Sequence, residues 1–76
     1  MLEGARIVVI VPALDEEPRI GRVVASMPSF VDEVIVVDDG STDDTRGAAL
    51  ASGEARRVAV QVVRHDRNRG VGAAIA

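Results

Sequence analysis

Four β-branched residues, Val34, Ile35, Val36 and Val37, run without interruption into two aspartates, Asp38 and Asp39. A short apolar run bounded by turn residues predicts a strand that is buried on both faces. Gly40 follows and supplies the backbone freedom of a tight turn. Ser41 and Asp44, three positions apart, have the spacing of a capping box, which predicts that a helix begins there. The stretch therefore reads as strand, acidic turn, helix. In open parallel sheets ligands gather outside the carboxyl ends of the strands, where Asp38 and Asp39 would stand.

The rest of the chain repeats that unit. Residues 6–11 form a first apolar strand that Pro12 is expected to end, and the loop after it turns acidic at Asp15, Glu16 and Glu17. Pro18 suits the first turn of a helix, and Ile20, Val23, Val24 and Met27 fall on one helical stripe that Pro28 closes. A small-residue helix is predicted over residues 45–52, with Gly53 as its C′ residue. A third strand is predicted over residues 58–63, then a charged loop over 64–69 and the start of another helix over 70–76. The order β-α-β-α-β implies a parallel sheet with right-handed crossovers. Two such crossovers running the same way put both helices on one face, yet strands this apolar call for cover on the other face too. Residues 1–76 are thus expected to be the N-terminal part of a larger domain, truncated here and prone to self-association on its own.

Composition narrows the function. At 47% hydrophobic and 28% charged the chain can build a packed core. Phe30 is its one aromatic residue, which removes the stacking platforms of single-strand nucleic-acid binders, and a net charge of −3 lacks a nucleic-acid footprint. Without cysteine there is no disulfide or thiolate metal site. The longest apolar run, residues 7–14, is too short to span a bilayer. The first residues lack a cleavable signal pattern, so a cytoplasmic location is expected.

Three polar loops follow strands and so share one sheet edge: residues 12–17, 38–41 and 67–72. Together they offer carboxylates, glycines and arginines, a set suited to a ligand with a base or ribose at one end and phosphates at the other. Adjacent carboxylates repel each other unless a cation or ligand donors lie nearby, which favours a ligand role for Asp38 and Asp39. Glu16 and Glu17 serve a helix start as well as they would serve a ligand. Gly70 and Gly72 provide either a flexible helix entry or a phosphate approach. Arg64, Arg67 and Arg69 are solvated charges or phosphate contacts. His65, the single histidine, reads as a solvated loop residue with no triad partners.

Taken together, IVVIVPALDEEPRIGRVV, VDEVIVVDDGSTDDT and HDRNRGVGAAIA resemble the N-terminal half of family-two glycosyltransferases. The branch that includes polyprenyl-phosphate sugar transferases and glucosyl-phosphoglycerate synthases is the most similar. The resemblance implies an α/β fold: the three-stranded parallel β-α-β-α-β start of a Rossmann-like nucleotide-diphosphosugar transferase, the A-type glycosyltransferase fold. It implies an inverting enzyme that takes a nucleotide-diphosphate sugar and a polyprenyl phosphate or other small acceptor. By the same resemblance Pro12, Ala13, Leu14, Asp15 and Glu16 would line the nucleoside. Asp38 would accept a hydrogen bond from the base, with Asp39 close to the ribose or base and Gly40 beside it, and Gly70 with Arg67 or Arg69 would pass near the phosphates. Asp15 stands where the family usually has asparagine, and Val71 where many relatives place lysine. A divalent metal, Mg or Mn, is implied, its ligands mostly beyond residue 76 together with the catalytic base, so no catalytic residue is expected in this chain.

A non-catalytic nucleotide-binding α/β module is the alternative. A receiver domain would need a lysine, which the chain lacks, and an aspartate after the third strand. A dehydrogenase would carry its glycine motif after the first strand, and a sugar nucleotidyltransferase a glycine- and arginine-rich loop there.

Overall fold

A computed structural model of the chain describes residues 3–65. The expected helix over residues 70–76 and most of the charged loop before it lie outside them. Strand β1 spans Val8–Ala13, helix α1 Glu17–Ala25, strand β2 Glu33–Asp38, helix α2 Thr45–Arg56 and strand β3 Ala59–Arg64. The strands form one parallel sheet in the order β1-β2-β3. Their register is flush at the carboxyl edge, with Ala13, Asp38 and Arg64 side by side. That row is the platform on which the polar loops stand.

Burial along β2 alternates with the period of a strand, Val34, Val36 and Asp38 fully buried and Ile35 and Val37 half-buried. The inner set meets Ile20 of α1, Ala49 of α2 and Ala13 of β1 in the core. Helices α1 and α2 pack against each other, and α2 lies on β2 and β3. The opposite sheet face is open: Ile10 is 57% exposed, Val63 44% and Val8 39%. One face covered and one bare is what the chain order implied.

Three boundaries differ from the sequence expectation. Pro12 does not end β1 but pairs opposite Val37 within it. The Ala13 carbonyl accepts from Asp39 N at 2.9 Å, so by alternation the Pro12 nitrogen faces away from β2. Among the described strands none pairs with that side of β1, so the missing donor interrupts no ladder there. At the start of α2 the cap is Asp44, whose side chain accepts from Gly47 N at 3.1 Å, and not Ser41. At its end the helix runs through Gly53 and stops at Arg57, which takes the left-handed conformation (φ 58°). There Val58 N donates to Gly53 O at 2.9 Å and Arg57 N to Glu54 O at 3.3 Å, the paired bonds of a Schellman close.

Gly53 is in the helix because β3 passes so close to it. A Cβ at this position would overlap Val60 Cγ2 and lie 3.0 Å from the Val58 carbonyl oxygen. Alanine would gain about 1 kcal/mol in helix propensity, but overpacking costs about 1–3 kcal/mol. Gly53→Ala is therefore expected to destabilise the protein in denaturant unfolding. The loss should shrink in a Val60→Ala background, which removes the nearest clashing methyl; equal losses in both backgrounds would place the conflict elsewhere.

Candidate functional site

The sheet's strand period sorts the two aspartates. Asp38, the last residue of β2, follows Val34 and Val36 inward and is fully buried. Its Oδ1 accepts from Ser41 N at 2.9 Å, and Oδ2 has no hydrogen-bond partner among the described residues. Asp39, one residue on, is half-buried and lines a pocket of about 290 Å³ with Pro12, Ala13, Leu14 and Glu16. Among the described residues the carboxylate that lines the pocket is that of Asp39, while that of Asp38 is enclosed beneath the turn. Its Oδ1 lies 3.5 Å from His65 Nδ1, an ion pair when the imidazole is protonated. His65 reaches that place because its N–H donates to the Asp38 carbonyl at 2.7 Å, carrying the β2–β3 pairing one residue further.

Of the other expected site residues, Pro12, Ala13, Leu14 and Glu16 come together at the pocket. Asp15 and Gly40 do not line it. Gly40 takes φ 81° to turn the chain out of β2, and Asp15 takes φ 50°. Arg67, Arg69 and Gly70 lie outside the described residues. Arg64, at the end of β3, donates from Nη2 to the Ser41 carbonyl at 2.9 Å, which ties β3 to the β2–α2 loop.

A polar seam joins the β1–α1 loop to the β2–α2 loop. Asp15 N donates to Ser41 Oγ at 2.8 Å, Glu16 N to Thr45 Oγ1 at 2.9 Å and Glu17 N to Asp43 Oδ2 at 3.1 Å. In return Thr42 N donates to Asp15 Oδ1 at 2.7 Å and Asp44 N to Glu17 Oε1 at 2.9 Å. The amides at the start of α1, which a helix leaves without intrahelical acceptors, are served by side chains of the next loop. Sequence reading took Ser41 and Asp44 for helix-start residues and left Glu17 between a helix start and a ligand. The signal for the seam was the density of short oxygen-bearing side chains in both loops at one sheet edge.

Charge is arranged around this seam. The Arg19 guanidinium grips Glu16 in a fork, Nη2 to Oε1 at 2.9 Å and Nε to Oε2 at 3.2 Å. That hydrogen bonding holds the Glu16 carboxyl below the usual carboxylate range. Asp43 is lowered too, first by the Thr45 hydroxyl that donates to its Oδ1, against some desolvation, with help from backbone N–H groups. The edge is thus rich in ionised acceptors. It suits the N–H and O–H groups of a base and ribose better than it suits a bare diphosphate.

The Asp43 shift has a consequence for acid stability. A carboxyl whose folded-state pKa is depressed adds stability that is complete above its ordinary value, 3.8 here, and is lost as the pH falls through the lower folded value. Asp43→Asn removes that contribution. Thermal melts of both proteins from neutral pH downward should show a gap that narrows below pH 3.8; a gap independent of pH would remove Asp43 from the acid response.

Comparisons with known proteins agree with this placement of elements. A family model described as glycosyl transferase family 2 matches residues 8–76. Glucosyl-3-phosphoglycerate synthase of Mycolicibacterium paratuberculosis is 52% identical over 54 residues, 66% of this chain and 16% of that protein. An uncharacterized protein of Methanocaldococcus jannaschii is 40% identical over 70 residues, 91% of this chain and 26% of that protein. A crystal structure of Mycobacterium tuberculosis glucosyl-3-phosphoglycerate synthase, in complex with Mn2+, UDP-glucose and glycerol 3-phosphate, matches with a TM-score of 0.64 at 45% identity. That match covers 80% of this chain and 21% of the other. The chain spans at most 26% of the length of these relatives.

Proposed function

This chain belongs to glycosyl transferase family 2, and we propose that it forms the nucleoside-binding part of an enzyme that transfers a sugar, with inversion, from a nucleotide-diphosphate donor. Its strands and helices are the β-α-β-α-β start of the A-type glycosyltransferase fold. The observation that carries the proposal is the pocket at the carboxyl edge, where Asp39 joins Pro12 and Ala13 at the end of β1 and Leu14 and Glu16 of the loop after it. In this reading Asp39 accepts the imide N–H of a uracil base, and the Arg19-held carboxylate of Glu16 accepts from a ribose hydroxyl. Asp38 supports the turn from beneath. The phosphate contacts expected of Arg67, Arg69 and Gly70 complete the donor site.

The Mycobacterium tuberculosis relative favours UDP-glucose as donor and a small phosphorylated three-carbon acceptor, in place of a polyprenyl phosphate. A divalent cation such as Mn2+ would neutralise charge at the diphosphate. Among the described residues no three His, Asp or Glu groups converge to hold one. The described residues bind and orient the nucleoside; no step of the transfer is assigned to them. No described helix is long and apolar enough to cross a membrane.

Calorimetric titration separates the two aspartates. Asp39→Ala should weaken uridine and UDP by similar factors, about 1.5–3 kcal/mol for a hydrogen bond to a charged acceptor, with little change in thermal stability. Asp38→Ala strands the Ser41 N–H in the interior and should cost about 1–3 kcal/mol of folding stability. Unchanged UDP affinity in Asp39→Ala would remove the base-reading role.

The open sheet face gives a further expectation for the chain on its own. Ile10, Val8 and Val63 are exposed together, and apolar area left in water forfeits about 25 cal/mol per Å². Light scattering across a concentration series should show self-association, which Ile10→Lys should weaken. A monomer at every concentration would count against it.

A further inference from the structure

Resting on the nucleoside-pocket reading, we infer that Asp15 is a positioning residue: its carboxylate ties one wall of the pocket to the loop that follows Asp39. Asp15 is absent from the pocket lining, yet it sits between Leu14 and Glu16, which both line it. The strand ladder cannot fix that wall, because β1 ends at Ala13, where the Ala13 carbonyl takes the Asp39 N–H. Beyond that bond the two chains are held by side chains. Asp15 forms a two-way clamp there: its N–H donates to Ser41 Oγ at 2.8 Å, and its Oδ1 accepts from Thr42 N at 2.7 Å and from the Thr42 hydroxyl at 3.3 Å. Between Asp39 and Ser41 lies only Gly40, in a conformation that L side chains rarely adopt (φ 81°). The clamp therefore bridges the Gly40 turn between the pocket's two walls.

The backbone of Asp15 supports the assignment. It takes φ 50°, a left-handed conformation that aspartate, asparagine and glycine tolerate and most residues resist. Both side-chain bonds use Oδ1 as an acceptor, so an amide oxygen would serve as well as a carboxylate. The residue type is thus constrained twice, by conformation and by the need for a short acceptor. The clamp sets the width of the slot between Leu14, Glu16 and Asp39, and so the fit of a planar base.

Two substitutions separate these constraints. Asp15→Asn keeps the left-handed backbone and the acceptor, whereas Asp15→Gly keeps the backbone and deletes the acceptor. Gly53→Ala, far from the pocket wall, serves as a control for lost stability alone. UDP is titrated calorimetrically into the native protein and the three variants, at a temperature where circular dichroism shows all of them folded. We expect Asp15→Asn within about twofold of native affinity, and Asp15→Gly about tenfold weaker, the scale of one lost hydrogen bond. Gly53→Ala should bind as the native protein does. No UDP binding by the native protein would overturn the nucleoside reading and this inference together. Native-like affinity in Asp15→Gly, or equal weakening in Gly53→Ala, would overturn the inference alone, as would failure of Asp15→Asn to preserve binding.

Discussion

The parallel ladder through β2 is the constraint on which the rest depends. Because β2 is the middle strand, its register fixes both neighbours, and Ala13, Asp38 and Arg64 end level with one another. The chain leaves the sheet three times at the same height. The loops after β1 and β2 then lie side by side at the surface, which is what allows Asp15 to reach Thr42, and Arg64 at the end of β3 to reach Ser41. A slip of one residue in β1 would break the first of these contacts and turn Ala13 out of the core.

The loops show how a polar edge can be ordered without a large apolar core. A helix start presents amide N–H groups that need acceptors, and here the acceptors for α1 come from Ser41, Thr45 and Asp43 of the neighbouring loop. Thr45 is fully buried and serves two loops at once, accepting from Glu16 N and donating to Asp43. Single hydrogen bonds at a surface contribute little. A row of them that also completes a helix terminus fixes the relative position of two loops more firmly than any one could.

Much of this was legible in the sequence. The β-branched runs gave three strands, the spacing of Ile20, Val23 and Val24 gave α1, and the polar stretches after the strands gave the edge where the pocket lies. What the residues did not disclose was decided by tertiary contact. Gly53 reads locally as a helix terminus, but the close pass of Val60 selects glycine inside α2. Pro12 reads as a strand breaker, and only the direction of its nitrogen, away from β2, makes it harmless to the β1–β2 pairing. Ser41 reads as a cap for its own helix, whereas its hydroxyl is taken by Asp15 on another loop. The burial of Asp38 follows the alternation Val34, Val36, Asp38, which only an open second face makes visible.

The adjacent aspartates divide two duties that proteins often load onto one side chain. Asp38 is enclosed and answers to the fold, while Asp39 stands at the opening and answers to whatever enters it. Selection can therefore act on them separately. If Asp39 reads the nucleoside as proposed, an exchange at position 39 would retune ligand preference without disturbing the packing beneath, and position 38 would stay fixed while specificities diverge. An acidic doublet at a strand end then gives a lineage of enzymes room to change substrates at little risk to the scaffold.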